Sequence, residues 1–171
     1  MVIIRSESLN DYNQISDVIY YAFGQNDEVR LVEKLRSSPD YIVELSLVAI
    51  LNGLIVGHIL FSKILIKSEK SEIPALALAP LAVRPEYQNQ GIGSRLVEKG
   101  LEECKRLNHK IVIVLGHPNF YPKFGFKPAY DFGVIAPFEV PKEAFLILEL
   151  KSGALVGISG TVIFPPAFNE V

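Results

Sequence analysis

Several things are scarce in this 171-residue chain, and each scarcity removes a class of explanation. A single cysteine, Cys104, excludes an internal disulfide, and nothing else in the composition suggests an oxidising compartment. Three scattered histidines with no paired cysteines make a zinc site unexpected, and no metal is expected. Charge of one sign is not in excess. The formal balance of −2 gives no reason to expect nucleic acid or an anionic membrane as partner. The longest apolar run, Ile73 to Val83, contains Pro80 and falls short of the ~20 residues that span a bilayer. The start, MVIIRSESLNDY, lacks a basic segment followed by a long apolar core. A cytoplasmic location is therefore expected. Repeats, low-complexity tracts and linkers are also missing, so residues 1–171 are expected to form one domain, and 49% hydrophobic residues provide for a core.

What is present is a succession of strongly patterned segments. Val2 to Arg5 reads as a short strand. Leu9, Ile15, Val18, Ile19 and Ala22 recur at helical spacing, with Asn10 or Asp11 as cap, and Gly24 breaks the pattern. A second helix gathers Val29, Leu31, Val32 and Leu35 before Pro39. Two β-rich runs, Ser46 to Leu51 and Ile55 to Ile66, flank Asn52-Gly53, a strong hairpin signal. Ile73 to Val83 is a further strand. Ile92, Leu96, Val97, Leu101, Cys104 and Leu107 share one helical face, and the apolar run Lys110 to Leu115 predicts a strand covered on both sides. The tail reads as β-rich at Ala144–Leu150, Leu155–Ile158 and Val162–Phe164. The order describes a mixed sheet with helices on both sides.

Between the strand ending at Val83 and the helix opening near Gly91 lies EYQNQGIGSRL, with three amides, two glycines and almost no charge. A helix start presents unpaired N–H groups and the positive end of a dipole, which favour an anion. Glycine at 91 and 93 lets a phosphate approach the backbone, so amides can carry the contact without a lysine. The bland alternative is an ordinary glycine-rich helix start. Two nucleotide readings fail on spacing. A P-loop needs Gly-Lys-Ser/Thr, and Gly93 is followed by Ser94-Arg95. A dinucleotide fingerprint wants Gly or Ala where Leu96 stands, and an acid where Ile111 to Leu115 is wholly apolar.

Gln88-x-x-Gly91-x-Gly93 after a strand resembles the Q/R-x-x-G-x-G/A signature of the GCN5-related N-acetyltransferase (GNAT) superfamily. The lead-in Leu81-Ala82-Val83-Arg84-Pro85-Glu86-Tyr87 is similar to that family's, as is Tyr121-Pro122-Lys123-Phe124-Gly125-Phe126 to its Y-x-x-x-G-F segment. Leu115-Gly116-His117-Pro118 and the tail from Gly160 to Phe168 resemble its YhbS-like branch. The resemblance implies an α/β (α+β) three-layer acyl-CoA N-acyltransferase fold: a mixed, mostly antiparallel sheet with helices on both faces and splayed central strands. It also implies transfer of an acetyl group from acetyl-CoA, as co-substrate, to a primary amine of an unidentified acceptor, directly and without a covalent enzyme intermediate.

The residues implied to hold the cofactor are Leu81, Ala82 and Val83 on the strand, Gln88, Asn89, Gln90, Gly91, Ile92, Gly93 and Ser94 in the loop, and Asn119 beyond the fifth strand. Pro80 has no N–H for a ladder bond and so belongs at an edge or a bulge. A bulge would splay its strand from Lys110–Leu115, as the resemblance implies, leaving N–H groups near Leu81 and Val83 for the pantetheine and the acetyl carbonyl. Tyr121 matches the family tyrosine near the cofactor sulfur and is the candidate proton donor to the leaving thiolate. Asn119 could equally cap a helix. His117 is either a base or a cap. Asp27 and Glu28 could attract an ammonium, or could be ordinary helix-start charges. Arg84, Arg95 and Lys99 could meet a phosphate or simply be solvated. His58 reads as structural, His109 as a surface turn and Cys104 as buried filler. A different functional class, a non-catalytic acyl-CoA-binding or partner-binding module, also fits these residues. Acetylation of a protein lysine or N-terminus stays within the enzyme class, and either a monomer or a homodimer fits.

Overall fold

The computed structural model describes residues 1–171, the side chain of Glu170 excepted. Strand β1 (Val2–Ser6) leads into helices α1 (Tyr12–Phe23) and α2 (Asp27–Arg36). Strands β2 (Ser46–Leu51), β3 (Leu54–Lys67) and β4 (Glu72–Val83) follow, then α3 (Ile92–Arg106) and β5 (Ile111–Leu115). Two very short strands, β6 (Lys127–Pro128) and β7 (Val134–Ile135), precede β8 (Phe145–Glu149) and β9 (Gly160–Ile163).

The sheet runs β1-β2-β3-β4-β5-β8-β6. Its long third strand serves two neighbours on one edge: the first half pairs β2 and the last three residues, Leu65 to Lys67, pair β9. All pairings are antiparallel except β4 with β5 and β7 with β9. The β2–β3 turn is the expected Asn52-Gly53, both residues at positive φ, 52° and 78°, as a tight hairpin connection needs.

Helix α3 covers one face with Ile92, Leu96, Val97, Leu101 and Cys104 turned to the sheet. Helices α1 and α2 cover the other with Ile15, Val18, Ile19, Leu31, Val32 and Leu35. The tail extends that second face, burying Val134, Phe145 and Val162 against β3, β4 and β5. The three layers are those expected. One expectation fails: Leu155–Ile158 is not extended. Gly153 and Gly157 take positive φ, 87° and 74°, and fold the segment into turns, so Leu155 and Ile158 pack from a loop while Val156 is exposed. Among the described residues no helix is long and apolar enough to cross a membrane.

A buried polar cluster absent from the expectations ties β1, α2, β2 and β3 together. Glu7, its side chain 1% exposed, accepts from Arg36 Nε at 2.8 Å and Nη2 at 3.0 Å, from the Tyr41 hydroxyl, and from Ser46 Oγ at 2.7 Å. Ser46 Oγ also lies 3.0 Å from Nε2 of the fully buried His58. Burial alone would raise the Glu7 pKa, but these hydrogen bonds outweigh it and hold the carboxyl well below the usual range. For His58 burial wins and keeps the ring neutral. The cluster fixes the roll of α2 against the sheet.

Candidate active site

The site begins with a change of register. Ile59 faces Leu81 and Phe61 faces Leu78, so two steps along β3 match three along β4. The extra residue falls at Ala79-Pro80, whose peptide bond is cis. Proline, with no N–H to lose, sits at the bulge, as expected.

β5 pairs with β4 only before this point, at Leu76–Val112 and Ala77–Ile113. Past the bulge β4 continues to Val83 with β3 on one side and no strand on the other. Arg84 N–H donates to the Val56 carbonyl on β3 at 2.8 Å. Strand alternation then turns the Ala82 N–H the same way and points those of Leu81 and Val83 into the gap. The Val83 carbonyl also faces the gap and accepts from Gln88 Nε2 at 2.9 Å, which moors the following loop to the strand end.

That loop is shaped by Asn89 and Gly91, at φ 62° and 82°, and Gly91 is the N-cap of α3. The first helical bond of α3 runs from the Arg95 N–H to the Gly91 carbonyl at 3.1 Å. Among the described residues no N–H from Asn89 to Ser94 has an acceptor in the chain. Ile92 contributes only its backbone here, its side chain being core. Gln90 reaches back to the Glu86 carbonyl at 3.4 Å. The result is a row of free donors at a helix N-terminus, beside an open strand edge. A long ligand with a diphosphate at one end and peptide-like amides along its length fits both features.

The cations weighed for phosphate are engaged elsewhere. Arg84 lies 3.8 Å from Glu86 and over the Tyr21 ring, Arg95 donates to the Val2 carbonyl at 3.2 Å, and Lys99 pairs with Glu102 at 3.3 Å. Lys123, which sequence reasoning did not single out, reaches across to Ser94 Oγ at 2.8 Å. It lies over the Phe120 ring at 4.4 Å and brings the missing positive charge to the loop. Its place within Tyr121-Pro122-Lys123-Phe124-Gly125-Phe126 was the available signal.

Tyr121 opens a 3₁₀ turn after β5 and is 7% exposed. Its ring meets Phe120 and Phe126 edge to face, at 5.0 and 5.6 Å. It also packs closely on Gly116, where a Cβ would come within 2.3 Å of it. Among the described residues the hydroxyl has no hydrogen-bond partner, yet it is not sealed from solvent. Burial pushes its pKa up to about 12, so it keeps its proton at neutral pH.

Asn119 lies exposed on the same turn. Phe120, not Asn119, is the N-cap, so the capping role is not seen. His117 is exposed, and its carbonyl, not its ring, starts the turn by accepting from Phe120 and Tyr121 N–H at 3.1 and 3.4 Å. Asp27 pairs with Arg30 at 2.6 Å, while Glu28 faces a cavity at the far mouth of the gap. His109 is half-buried and not a free surface turn. Cys104 is buried filler, its thiol pushed up to about 12 by burial. Among the described residues no group of three or more His, Cys, Asp or Glu could hold a metal.

A family model described as the acetyltransferase (GNAT) domain matches residues 4–129. YjhQ of Escherichia coli strain K12, an uncharacterised N-acetyltransferase, is 42% identical over 135 residues, covering 78% of this chain and 75% of its own. YhbS of the same strain, likewise uncharacterised, is 31% identical over 99% of both chains. The crystal structure of Escherichia coli YhbS in complex with CoA superposes with a TM-score of 0.90 at 29% identity, over 98% of this chain and 92% of that one. A GNAT family acetyltransferase from Brucella melitensis in complex with acetyl-CoA gives 0.80 at 28% identity, over 99% of both.

Proposed function

The chain belongs to the GNAT acetyltransferase family, and from that premise we propose that it carries an acetyl group from acetyl-CoA directly to a primary amine. The observation that carries this reading is the parting of β4 from β5 beside a loop of unpaired amides. The CoA and acetyl-CoA complexes of its structural relatives support the same co-substrate.

Acetyl-CoA supplies an activated thioester and a thiolate leaving group. The residues of this chain do the rest. The N–H groups from Asn89 to Ser94 hold the diphosphate, with Lys123 adding charge and Gln88 keeping the loop on the strand. Ala82 anchors β4 to β3, and Leu81 and Val83 turn their N–H groups to the amide-bearing arm and to the carbonyl oxygen where negative charge develops. Asn119, exposed near the same turn, contacts the arm from the other side. Tyr121 gives its proton to the departing sulfur. A module that only bound the thioester would have no use for an unpartnered phenol at that place, which favours the enzyme. All of residues 1–171 act as one domain, since β9 completes the sheet beyond the matched segment. The protein works in the cytoplasm, as a monomer or homodimer, without nucleic acid, membrane or metal.

Thermal unfolding tests the reading. Acetyl-CoA at a hundred times its Kd stabilises the native state by about 2.7 kcal/mol. For a chain of this size the midpoint then rises by roughly 5–10 °C. An unchanged midpoint at saturating acetyl-CoA refutes the proposal.

A further inference from the structure

The gap between β4 and β5 has a second mouth, on the face covered by α1 and α2. There a cavity of about 300 Å³ opens, floored by Ala79, Pro80 and Ile113. Its walls are Phe23, Leu115, Phe138, Phe164 and Phe168, with Glu28 the only ionisable side chain among the described lining residues. The aromatic wall is organised: Phe138 and Phe164 lie nearly parallel, 14° apart at 6.1 Å, and Phe168 leans on Phe164 at 5.1 Å. Several of these groups stay open to solvent, Leu115 at 51%, Phe138 at 46% and Phe23 at 41%. Large apolar side chains grouped at a cavity mouth mark a surface that something apolar covers.

Glu28 sits in the first turn of α2, and both its oxygens accept from Gln25 Nε2, at 3.0 and 3.3 Å. That bond holds the carboxylate at the rim while leaving lone pairs for a cation.

We infer that the acceptor is a primary monoamine on a compact apolar body, preferably aromatic, whose ammonium is met by Glu28 and whose body lies against Phe138, Phe164 and Phe168. This rests on the acetyl-transfer reading. A polyamine or aminoglycoside would bring further ammonium groups against the phenylalanine wall, where Glu28 is the one counter-charge among the described side chains. A peptide lysine would bring a backbone whose amides meet a wall of mainly apolar side chains in this lining. One side-chain carboxylate among the described lining residues and an aromatic wall suit one charge and one ring. In the reaction the ammonium first sheds a proton to water. The amine nitrogen then forms the C–N bond as the C–S bond breaks, losing its second proton to water, while the thiolate takes the Tyr121 proton and the phenol regains one from solvent.

The test is the full chain with acetyl-CoA, followed by thiol release, against 2-phenylethylamine, linear alkylamines, spermidine, kanamycin and a lysine-containing hexapeptide. Expected is a kcat/KM for 2-phenylethylamine roughly tenfold or more above the last three, with about a fourfold gain per methylene from propylamine to hexylamine. Glu28→Gln raises the KM for 2-phenylethylamine by about ten- to a hundredfold and leaves the KM for acetyl-CoA unaltered. Competitive inhibition by the neutral isostere 2-phenylethanol should be the same in both proteins. Preference for spermidine, kanamycin or the peptide overturns the inference, and so does an unchanged amine KM in Glu28→Gln. Acetyl-CoA binding with no amine of any class acetylated overturns it too. In each of these cases a midpoint still raised by acetyl-CoA shows that thioester binding survives, whereas no shift takes both readings down.

Discussion

Tyr121→Phe separates a packing role from a chemical one, because the two make opposite demands on the hydroxyl. The ring is held by Phe120, Phe126 and the bare backbone of Gly116, and Phe keeps every one of those contacts. The oxygen has no partner among the described residues, so its removal orphans no donor or acceptor. Stability should therefore change by no more than about 0.5 kcal/mol, which for this length is a midpoint shift of ~2 °C or less. The acetyl-CoA dissociation constant should be nearly unchanged for the same reason. Turnover should not. A positioned general acid contributes on the order of 10²–10⁴ in rate, and kcat is expected to fall within that span while the KM for acetyl-CoA holds. With the phenol pKa near 12, no loss of rate between pH 7 and 9 should be traceable to Tyr121 ionisation. Single-turnover acetylation by wild type and variant, beside a thermal melt of each, makes the comparison. Equal kcat in a stable variant removes Tyr121 from the chemistry. A fall in stability that matches the fall in rate shows that the packing argument is wrong.

Gly116→Ala should displace the same ring, since a Cβ would lie 2.3 Å from it, and should lower kcat while acetyl-CoA still binds by calorimetry. Lys123→Gln should weaken acetyl-CoA binding by roughly three- to tenfold at low salt, a difference that shrinks as added salt screens the charge. Glu7→Gln leaves Arg36 buried without its counter-charge and should cost about 3 kcal/mol or more, seen as a midpoint lower by ~6 °C or more. Acid should weaken the fold through the same cluster. Glu7 titrates below its unfolded value, so its contribution is present above the ordinary carboxylate range and fades as pH falls toward its folded pKa. His58 is held neutral, so the unfolded chain takes up its proton first, and stability declines as pH falls below about 6.5. Urea titrations showing no decline from pH 7.5 to 5 would contradict the His58 assignment, and none from pH 5 downward to about 2 would contradict that of Glu7.

Much of this was open to reading because it is encoded locally. Asn52-Gly53 carries its own turn geometry, α3 its apolar stripe, and Pro80 its missing donor. The loop from Gln88 to Ser94 declared itself by what it lacks, charge, as much as by its glycines. The remainder depends on distance. Glu7, Arg36, Tyr41, Ser46 and His58 share no period, and only the folded sheet brings them together. Lys123 meets Ser94 across 29 positions, which no window of sequence spans. Strands of two residues such as β6 and β7 carry no periodicity at all. Leu155–Ile158 misled for a physical reason: apolar content signals burial, not extension, and Gly153 and Gly157 decide the backbone.

The bulge at Ala79-Pro80 has a consequence for the order of chemical events. The unpaired loop amides and Tyr121 lie on the side of the sheet covered by α3, and the cavity with Glu28 lies on the side covered by α1 and α2. The gap past Ala77 and Ile113 joins the two, walled by the strand that carries Leu81 and Val83. A thioester entering from one side and an amine from the other would meet with no side chain needed between them. Cys104, the only thiol, cannot act as a relay: it is sealed within the α3 core, and burial keeps it protonated. A covalent two-step route would show itself as exchange of label between acetyl-CoA and free CoA in the absence of amine. On the direct-transfer proposal both substrates are bound together, so initial-rate lines in double-reciprocal form should intersect, and parallel lines would contradict a cleft entered from both faces.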